Sequence, residues 1–459
     1  IRTAFDAIAG NATQTVLDLL RVAGKKAFFP STNPETGWWQ DSAGTTQAAL
    51  EQPVGRITDL SGGSFHATQA TSVNRPTYTK RVNYCQRTES LENAAWNTTG
   101  VTSRVAGSTA TLPSGKAVTL TTITEDTSSG FHRVFMAASV ITAANAELTI
   151  SCVLKAGTRT WGYVRFDDSA ATKYVYVNLA TGALGTVSAG VTASTPVSLG
   201  SSAWYVVIRY TTVPGTSCSV VMGGASADNT PSYVGTSSTI EAGAVDMRLS
   251  AFAGMNLPVY QRVGNGAAGT ADYDTVGFRP MLYFDGTNDA LATPAIDMTG
   301  TDSLMALVNV LKVSDTAAGT VYETSVNWSA NAGTLSIAAS GSAGNPNYAA
   351  ASRGTASGVA SYTDSSVAAP NLACLRNDSD ISTPVVSLKR NGAQIVTSAT
   401  SQGTGNYGNH VLNIGARGGS SVWFKGYMLP GPLLDTTGIP AALLDQMARE
   451  QAALWGVAI

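Results

Sequence analysis

Between residues 82 and 277 the chain repeats one pattern, a short run rich in Val, Ile, Leu, Tyr and Phe followed by a cluster of Gly, Ser, Thr, Asp or Pro. The runs fall at 118–123, 148–154, 161–166, 174–179, 205–210, 219–222 and 246–252. Segments this short, each closed by turn formers, build a core only by stacking as strands of a sandwich or jelly roll. The pattern resumes at 304–311, 319–324, 335–338, 385–390, 394–397, 412–414 and 422–427. Asn391-Gly392 is the dipeptide that a tight hairpin turn selects. The expected fold class is therefore all-β. Helical periodicity is confined to the ends. Val16, Leu19, Leu20 and Ala23 share one face over 13–23, with Thr13 and Gly24 as caps. Leu443, Leu444, Met447 and Leu454 do the same over 440–454, where Pro440 suits the first turn and Gly456 the end.

Composition narrows the function classes. Charged residues are 13% of the chain and the net charge is −2, with no run of Lys or Arg. Nucleic acid is not an expected partner. No apolar stretch approaches the ~18 residues of a helical span, so membrane insertion is not expected either. The 459 residues leave room for two or three domains. Cys85, Cys152, Cys218 and Cys374 are widely spaced and are expected to be buried, reduced thiols.

Met281-Leu282-Tyr283-Phe284, then Asp285-Gly286 and the return Ala290-Leu291, reads as a strand, a turn and a second strand of a hairpin. Far upstream stand Gln40-Asp41-Ser42-Ala43-Gly44-Thr45-Thr46, Gln52-Pro53-Val54-Gly55, His66-Ala67-Thr68-Gln69 and Arg75-Pro76. Together these segments resemble the laminin-G-like, concanavalin-type sandwich of tailed-phage virion proteins. In that family the upstream motifs run on directly into the Phe-Asp-Gly turn. Here about two hundred residues intervene, which implies a sandwich split by an inserted module. The start of the insert, Thr88-Glu89-Ser90 and Asn93-Ala94-Ala95-Trp96, resembles carbohydrate-binding-like jelly rolls of phage proteins. Leu412-Asn413-Ile414-Gly415, Phe424-Lys425-Gly426 and Leu454-Trp455-Gly456 resemble the end of the sandwich family. The implied organisation is two nested antiparallel β-sandwich (jelly-roll) domains with short N- and C-terminal helices. Residues 1–27 are an attachment segment, 28–81 plus 278–459 the split sandwich, and 82–277 the inserted jelly roll.

Enzyme signatures are missing from the sequence. A concanavalin-type glucanase places Glu and Asp on alternate strand residues, and none of the nine Glu has an Asp two positions on. There is no nucleophile elbow, no H-E-x-x-H and no phosphate-cradling loop. His66, His132 and His410 lie far apart in sequence, and the pairs Asp285/Asp289, Asp167/Asp168 and Asp378/Asp380 read as turn formers. No catalysis, no cofactor and no metal site are expected; clusters this short cannot alone supply the six or more oxygens calcium wants, and bound calcium is left open.

One feature invites a binding reading. Alternation puts Trp161, Tyr163, Arg165 and Asp167 on one strand face and Val164 and Phe166 on the other. In the next strand Tyr174, Tyr176 and Asn178 oppose Val175, Val177 and Leu179. With the aliphatic phase in the core, the other phase is an exposed face of aromatic rings beside Arg, Asp and Asn, a combination suited to glycans. The same face also suits a subunit contact, packing on the other sandwich or a cross-strand aromatic ladder, and aromatic β faces in oligomeric fibres are often interfaces. The family resemblance implies a virion structural protein assembled in the host cytoplasm, a tail or head fibre contacting host-surface polysaccharide or lipopolysaccharide. Its implied partners are other virion proteins; weak single-site sugar affinity would need multivalency, so a homo-oligomer, a homotrimer, is also expected. The alternative is a capsid or tail decoration protein with no receptor role.

Overall fold

The computed structural model describes residues 18, 24, 26–136, 147–168, 171–212, 218–252, 259–264, 272–313, 317–339, 347–363, 372–383, 385–457 and 459. The helix expected over 13–23 lies outside these residues, apart from Asp18 and Gly24. The fold is all-β, with antiparallel sheets and short helices. The described residues form two compact units, one holding those up to Lys80 together with those from Arg279 on, the other holding Arg81 to Phe278.

The first unit is a sandwich. One eight-stranded sheet runs Ala393–Ser398, Val385–Arg390, Ala373–Asp380, Ser303–Lys312, Lys425–Asp435, Met281–Asp285 and Thr77–Thr79, with Ala27–Phe28 also on Lys425–Asp435. The other has nine strands, Trp38–Trp39, Arg56–Ile57, Ala67–Thr68, Leu291–Asp297, Asn409–Ile414, Thr320–Thr324, Thr334–Ala338, Asn347–Arg353 and Ser357–Thr363. Strands early in the chain thus pair with strands from its second half, Phe28 with Leu433, Tyr78 with Leu282 and Thr68 with Ala292. Tyr322 ties the two sheets together. Its hydroxyl donates to Gly431 O (2.8 Å) and accepts from Gly431 N (2.9 Å), where flanking Pro430 and Pro432 lack the N–H a regular ladder needs. Asn391 and Gly392, both at positive φ, close the expected two-residue hairpin, with Arg390 opposite Ala393.

The segment from 281 to 291 is not a hairpin. Met281–Asp285 belongs to the eight-stranded sheet and Leu291–Asp297 to the nine-stranded one, so the turn carries the chain across the sandwich. Both edges of Met281–Asp285 are already taken, by Lys425–Asp435 and by Thr77–Thr79, and no place is left for a hairpin partner. The two carboxylates shape the crossing. Asp285 Oδ1 accepts from Thr287 N (2.7 Å) and Asn288 N (3.3 Å), and Asp289 Oδ2 accepts from Asp285 N (2.9 Å). The closing helix, Ala441–Ala453, lays Leu444, Met447, Ala448 and Ala452 on Met305, Leu307, Cys374 and Leu434 of the eight-stranded sheet. That cover explains why Ser303–Lys312 is buried along almost its whole length.

The second unit is a smaller sandwich. Its six-stranded sheet runs Leu184–Val187, Ala171–Asn178, Trp161–Asp168, Cys218–Ala225, Arg133–Met136 and Trp96–Thr99. Its seven-stranded sheet runs Val191–Ala193, Ala203–Thr211, Glu147–Ala156, Thr239–Leu249, Ala117–Glu125 and Val101–Thr111, with Val197–Gly200 also on Ala203–Thr211. A separate two-stranded ribbon pairs Ser129–Phe131 with Ser232–Val234. Val134, Val164, Phe166, Val175, Val177, Val220 and Met222 fill the inner face of the six-stranded sheet, all fully buried. The Phe166 ring meets Tyr210 of the facing sheet at 5.4 Å.

Candidate functional site on the six-stranded sheet

The face opposite that core is set by register. Trp161 lies across from Asn178, Tyr163 from Tyr176 and Arg165 from Tyr174. On the other side of the same strand, Ala225, Gly223 and Val221 stand beside Trp161, Tyr163 and Arg165. The next strand adds Arg133 beside Gly223 and Phe135 beside Val221, and the edge strand ends the rows with exposed Thr99 and Asn97. Six of the seven residues singled out from the sequence thus share one surface with side-chain work to do there. The seventh, Asn178, is occupied by a turn: its Oδ1 accepts from Ala180 N (3.0 Å) and its carbonyl from Gly182 N (2.7 Å).

The face is less open than alternation suggests. Tyr163, Tyr176 and Arg165 are only 0%, 1% and 4% exposed, whereas Trp161, Asp167, Tyr174 and Asn178 are half-buried. The rings cover one another. Tyr174 and Tyr176 stack at 5.5 Å and 10°, and Tyr163 packs on them at 5.4 and 5.8 Å. A cross-strand aromatic ladder has therefore formed at the centre, with contacts of this kind contributing about 0.5–1.5 kcal/mol each. Tyr163 is accommodated because Gly223 has no side chain: a Cβ there would stand 2.6 Å from the Tyr163 hydroxyl.

Arg165 organises the polar part. Its Nη1 donates to Tyr174 Oη (2.6 Å) and its Nη2 to Asp167 Oδ2 (2.8 Å), while its guanidinium sits 5.1 Å from the Tyr174 ring centroid. A buried cation is thereby fixed by a half-exposed carboxylate, and the Tyr174 ring is fixed with it. Tyr163 Oη is buried and has no hydrogen-bond partner among the described residues. Burial pushes its phenol up, with Arg165 and Arg133 pulling the other way, so it stays an O–H group. Trp161 borders the face over Gly185, whose Cβ would lie 2.8 Å from the indole. Asp228 stands at the same border, accepting from Thr186 N (2.7 Å) and Thr186 Oγ1 (3.0 Å). Nothing in this arrangement forms a nucleophile–base pair; it can stack on a flat apolar surface and hydrogen-bond at its rim.

Sequence reasoning missed Phe131, Arg133 and Phe135. The signal was present as an alternation at i, i+2 and i+4, interrupted by buried His132 and Val134. The remaining candidates are structural. His66 Nδ1 accepts from Asp59 N (2.9 Å), His132 Nδ1 and Nε2 face Gly100 O (2.7 Å) and Tyr233 O (3.2 Å), and His410 Nε2 faces Ala332 O (2.9 Å). Asp380 Oδ1 accepts from Ser382 and Thr383, and Asp378 pairs with Arg376 and Lys389. The four cysteines are free and buried, and burial pushes the Cys152, Cys218 and Cys374 thiols up to about 12. Among the described residues, no three of His, Cys, Asp and Glu gather as a metal site.

No family model matches the sequence, and no curated protein matches it. Among solved structures, the CBM40 module of the Ruminococcus gnavus IT-sialidase bound to alpha2,3 sialyllactose is 12% identical over 29% of this chain and 75% of its own, with a TM-score of 0.23. The same module bound to alpha2,6 sialyllactose covers 32% of this chain and 84% of its own at 12% identity and a TM-score of 0.24. A candidate carbohydrate binding protein from Bacteroides ovatus covers 63% of this chain and 76% of its own at 11% identity, with a TM-score of 0.24. Likeness of this degree carries no argument about fold or function.

Proposed function

We propose that the protein is a non-catalytic glycan-binding virion component, a tail or head fibre whose 81–278 unit meets the host envelope through the face built on Trp161, Arg165 and Tyr174. The observation that supports this is the pairing of two half-buried rings with a buried, oriented guanidinium on one sheet face whose reverse is core. Rings cover the apolar face of a sugar while Arg165, Asp167 and the phenol oxygens meet its hydroxyls. The virion assignment is carried by the sequence resemblance. A single shallow site of this kind binds weakly, so a homo-oligomer, a trimer in the particle, supplies the avidity.

The test is saturable binding of labelled protein to host cells before and after periodate oxidation of their surface sugars. The expected result is binding abolished by oxidation and reduced at least tenfold by Trp161→Ala and by Tyr174→Ala. Binding that survives both treatments would refute the glycan site. Sedimentation of the purified chain as a monomer, together with monomeric copies in the particle, would refute the avidity argument.

A further inference from the structure

Arg133 is the residue on this face that the glycan site as described leaves unexplained. Its strand, Arg133–Met136, turns Val134 and Met136 into the core and Arg133 and Phe135 outward. Half-buried Arg56, Arg75, Arg104 and Arg353 donate to backbone carbonyls, while Arg165, two strands away on the same face, has Asp167, and Arg159, Arg248, Arg376 and Arg417 each have a carboxylate. Arg133 has none among the described residues. Among the described residues its buried Nε has no hydrogen-bond partner, and its guanidinium lies against the rings of Phe131 (4.9 Å) and Phe135 (5.3 Å). A half-buried cation without an anion is costly, and two aromatic faces offset only part of that cost.

The position of Arg133 gives the missing anion a place. Arg133, Gly223 and Tyr163 lie in one row across three strands. Gly223 has no side chain, and the fully buried Tyr163 phenol fills the space over it, so what this row offers to a ligand is the half-buried Arg133 guanidinium. A guanidinium fork without a carboxylate of its own matches a ligand carboxylate, whose two oxygens take its donors in one plane. From strand spacing and rise, Arg133 and Trp161 are about 12 Å apart along the face, a separation that a short oligosaccharide bridges.

We infer that the ligand is an acidic glycan, a carboxylate-bearing sugar whose anion sits on the Arg133 guanidinium while the adjoining sugar stacks on Trp161 and Tyr174. The inference rests on the glycan reading above and adds the charge of the ligand to it. Pairing a half-desolvated guanidinium with a carboxylate is expected to tighten binding by about ten- to a hundredfold over the neutral sugar.

The test is calorimetric titration of the full chain with oligomers of galacturonate, alginate and hyaluronan, each beside its carboxyl-reduced form. At least one acidic oligomer should bind ten times or more as tightly as its reduced form. Arg133→Gln should bring the acidic form down to the level of the reduced one and leave the reduced one unchanged. Arg133→Lys should keep the preference, and Trp161→Ala should weaken both forms. Equal binding of acidic and reduced forms, or parallel loss of both in Arg133→Gln with an unchanged melting temperature, overturns the acidic assignment and leaves the glycan site standing. Binding of no oligomer in either form, with host cells also unbound, removes the glycan site itself.

Discussion

Tyr163 and Arg165 lie on the same face of one strand, and their energetics differ because, among the described residues, the Arg165 guanidinium has hydrogen-bond partners and the Tyr163 hydroxyl has none. The Tyr163 hydroxyl is buried without a hydrogen-bond partner among the described residues, a state that costs about 1–3 kcal/mol relative to a paired group. Tyr163→Phe keeps the ring that fills the space over Gly223 and removes the orphan oxygen. It should leave stability unchanged or raise it by about 1 kcal/mol, read as a shift in urea midpoint at constant slope. Destabilisation would show that the hydroxyl has a partner in solution. Alternation alone located these side chains on the correct face, because a period of two is a property of any strand. It could not reveal how deep they lie, since the burial of Tyr163 depends on Gly223 and on two rings from a neighbouring strand. Arg133 escaped notice for the complementary reason. Its alternation is legible, Phe131, Arg133 and Phe135 against His132 and Val134, but the strand spans only Arg133–Met136 and the signal is short.

At the scale of elements, the crossing from Asp285 to Asp289 is where expectation and structure part. The apolar run and the Asp-Gly dipeptide fit a hairpin locally, and only the occupancy of both neighbouring positions by strands from distant sequence excludes it. Two-residue strands such as Ala27–Phe28 and Ala67–Thr68, and small-residue strands such as Asn347–Arg353, were unreadable because no local hydrophobic period marks them. The crossing also makes a prediction about pH. Burial, opposed by the Asp285 N–H and reinforced by the Asp285 carboxylate, pushes Asp289 up to about 7. The folded chain therefore holds this proton more tightly than the unfolded one, whose aspartates titrate near ~3.9. The contribution of Asp289 is fully present below about pH 4 and is lost as pH rises through about 7. Asp289→Asn keeps an oxygen for Asp285 N and removes the titration. It should stabilise the chain by about 1–2 kcal/mol at alkaline pH, after allowance for solvent screening, and flatten the urea-midpoint profile between about pH 4 and 7. An unchanged profile would place the titration elsewhere.

For the whole molecule, the consequential fact is that the chain leaves the first unit and returns to it at neighbouring positions. Thr79 pairs with Met281 on adjacent antiparallel strands, so the ends flanking the 81–278 unit are within about 6 Å of each other. Replacing 81–278 by an Asn-Gly turn should therefore leave the first unit folding cooperatively, and 81–278 expressed alone should fold as well. Failure of both pieces to give a cooperative melt would show that neither is a domain in its own right. If both fold, envelope binding should follow the 81–278 piece. The most direct measurement of the central claim is calorimetric titration of the full chain with purified host-envelope polysaccharide, wild type against a Trp161→Ala/Tyr174→Ala double variant of matched melting temperature. The result predicted is saturable binding by the wild type and none by the double variant. Equal binding by the two proteins would contradict the assignment of the site to this face.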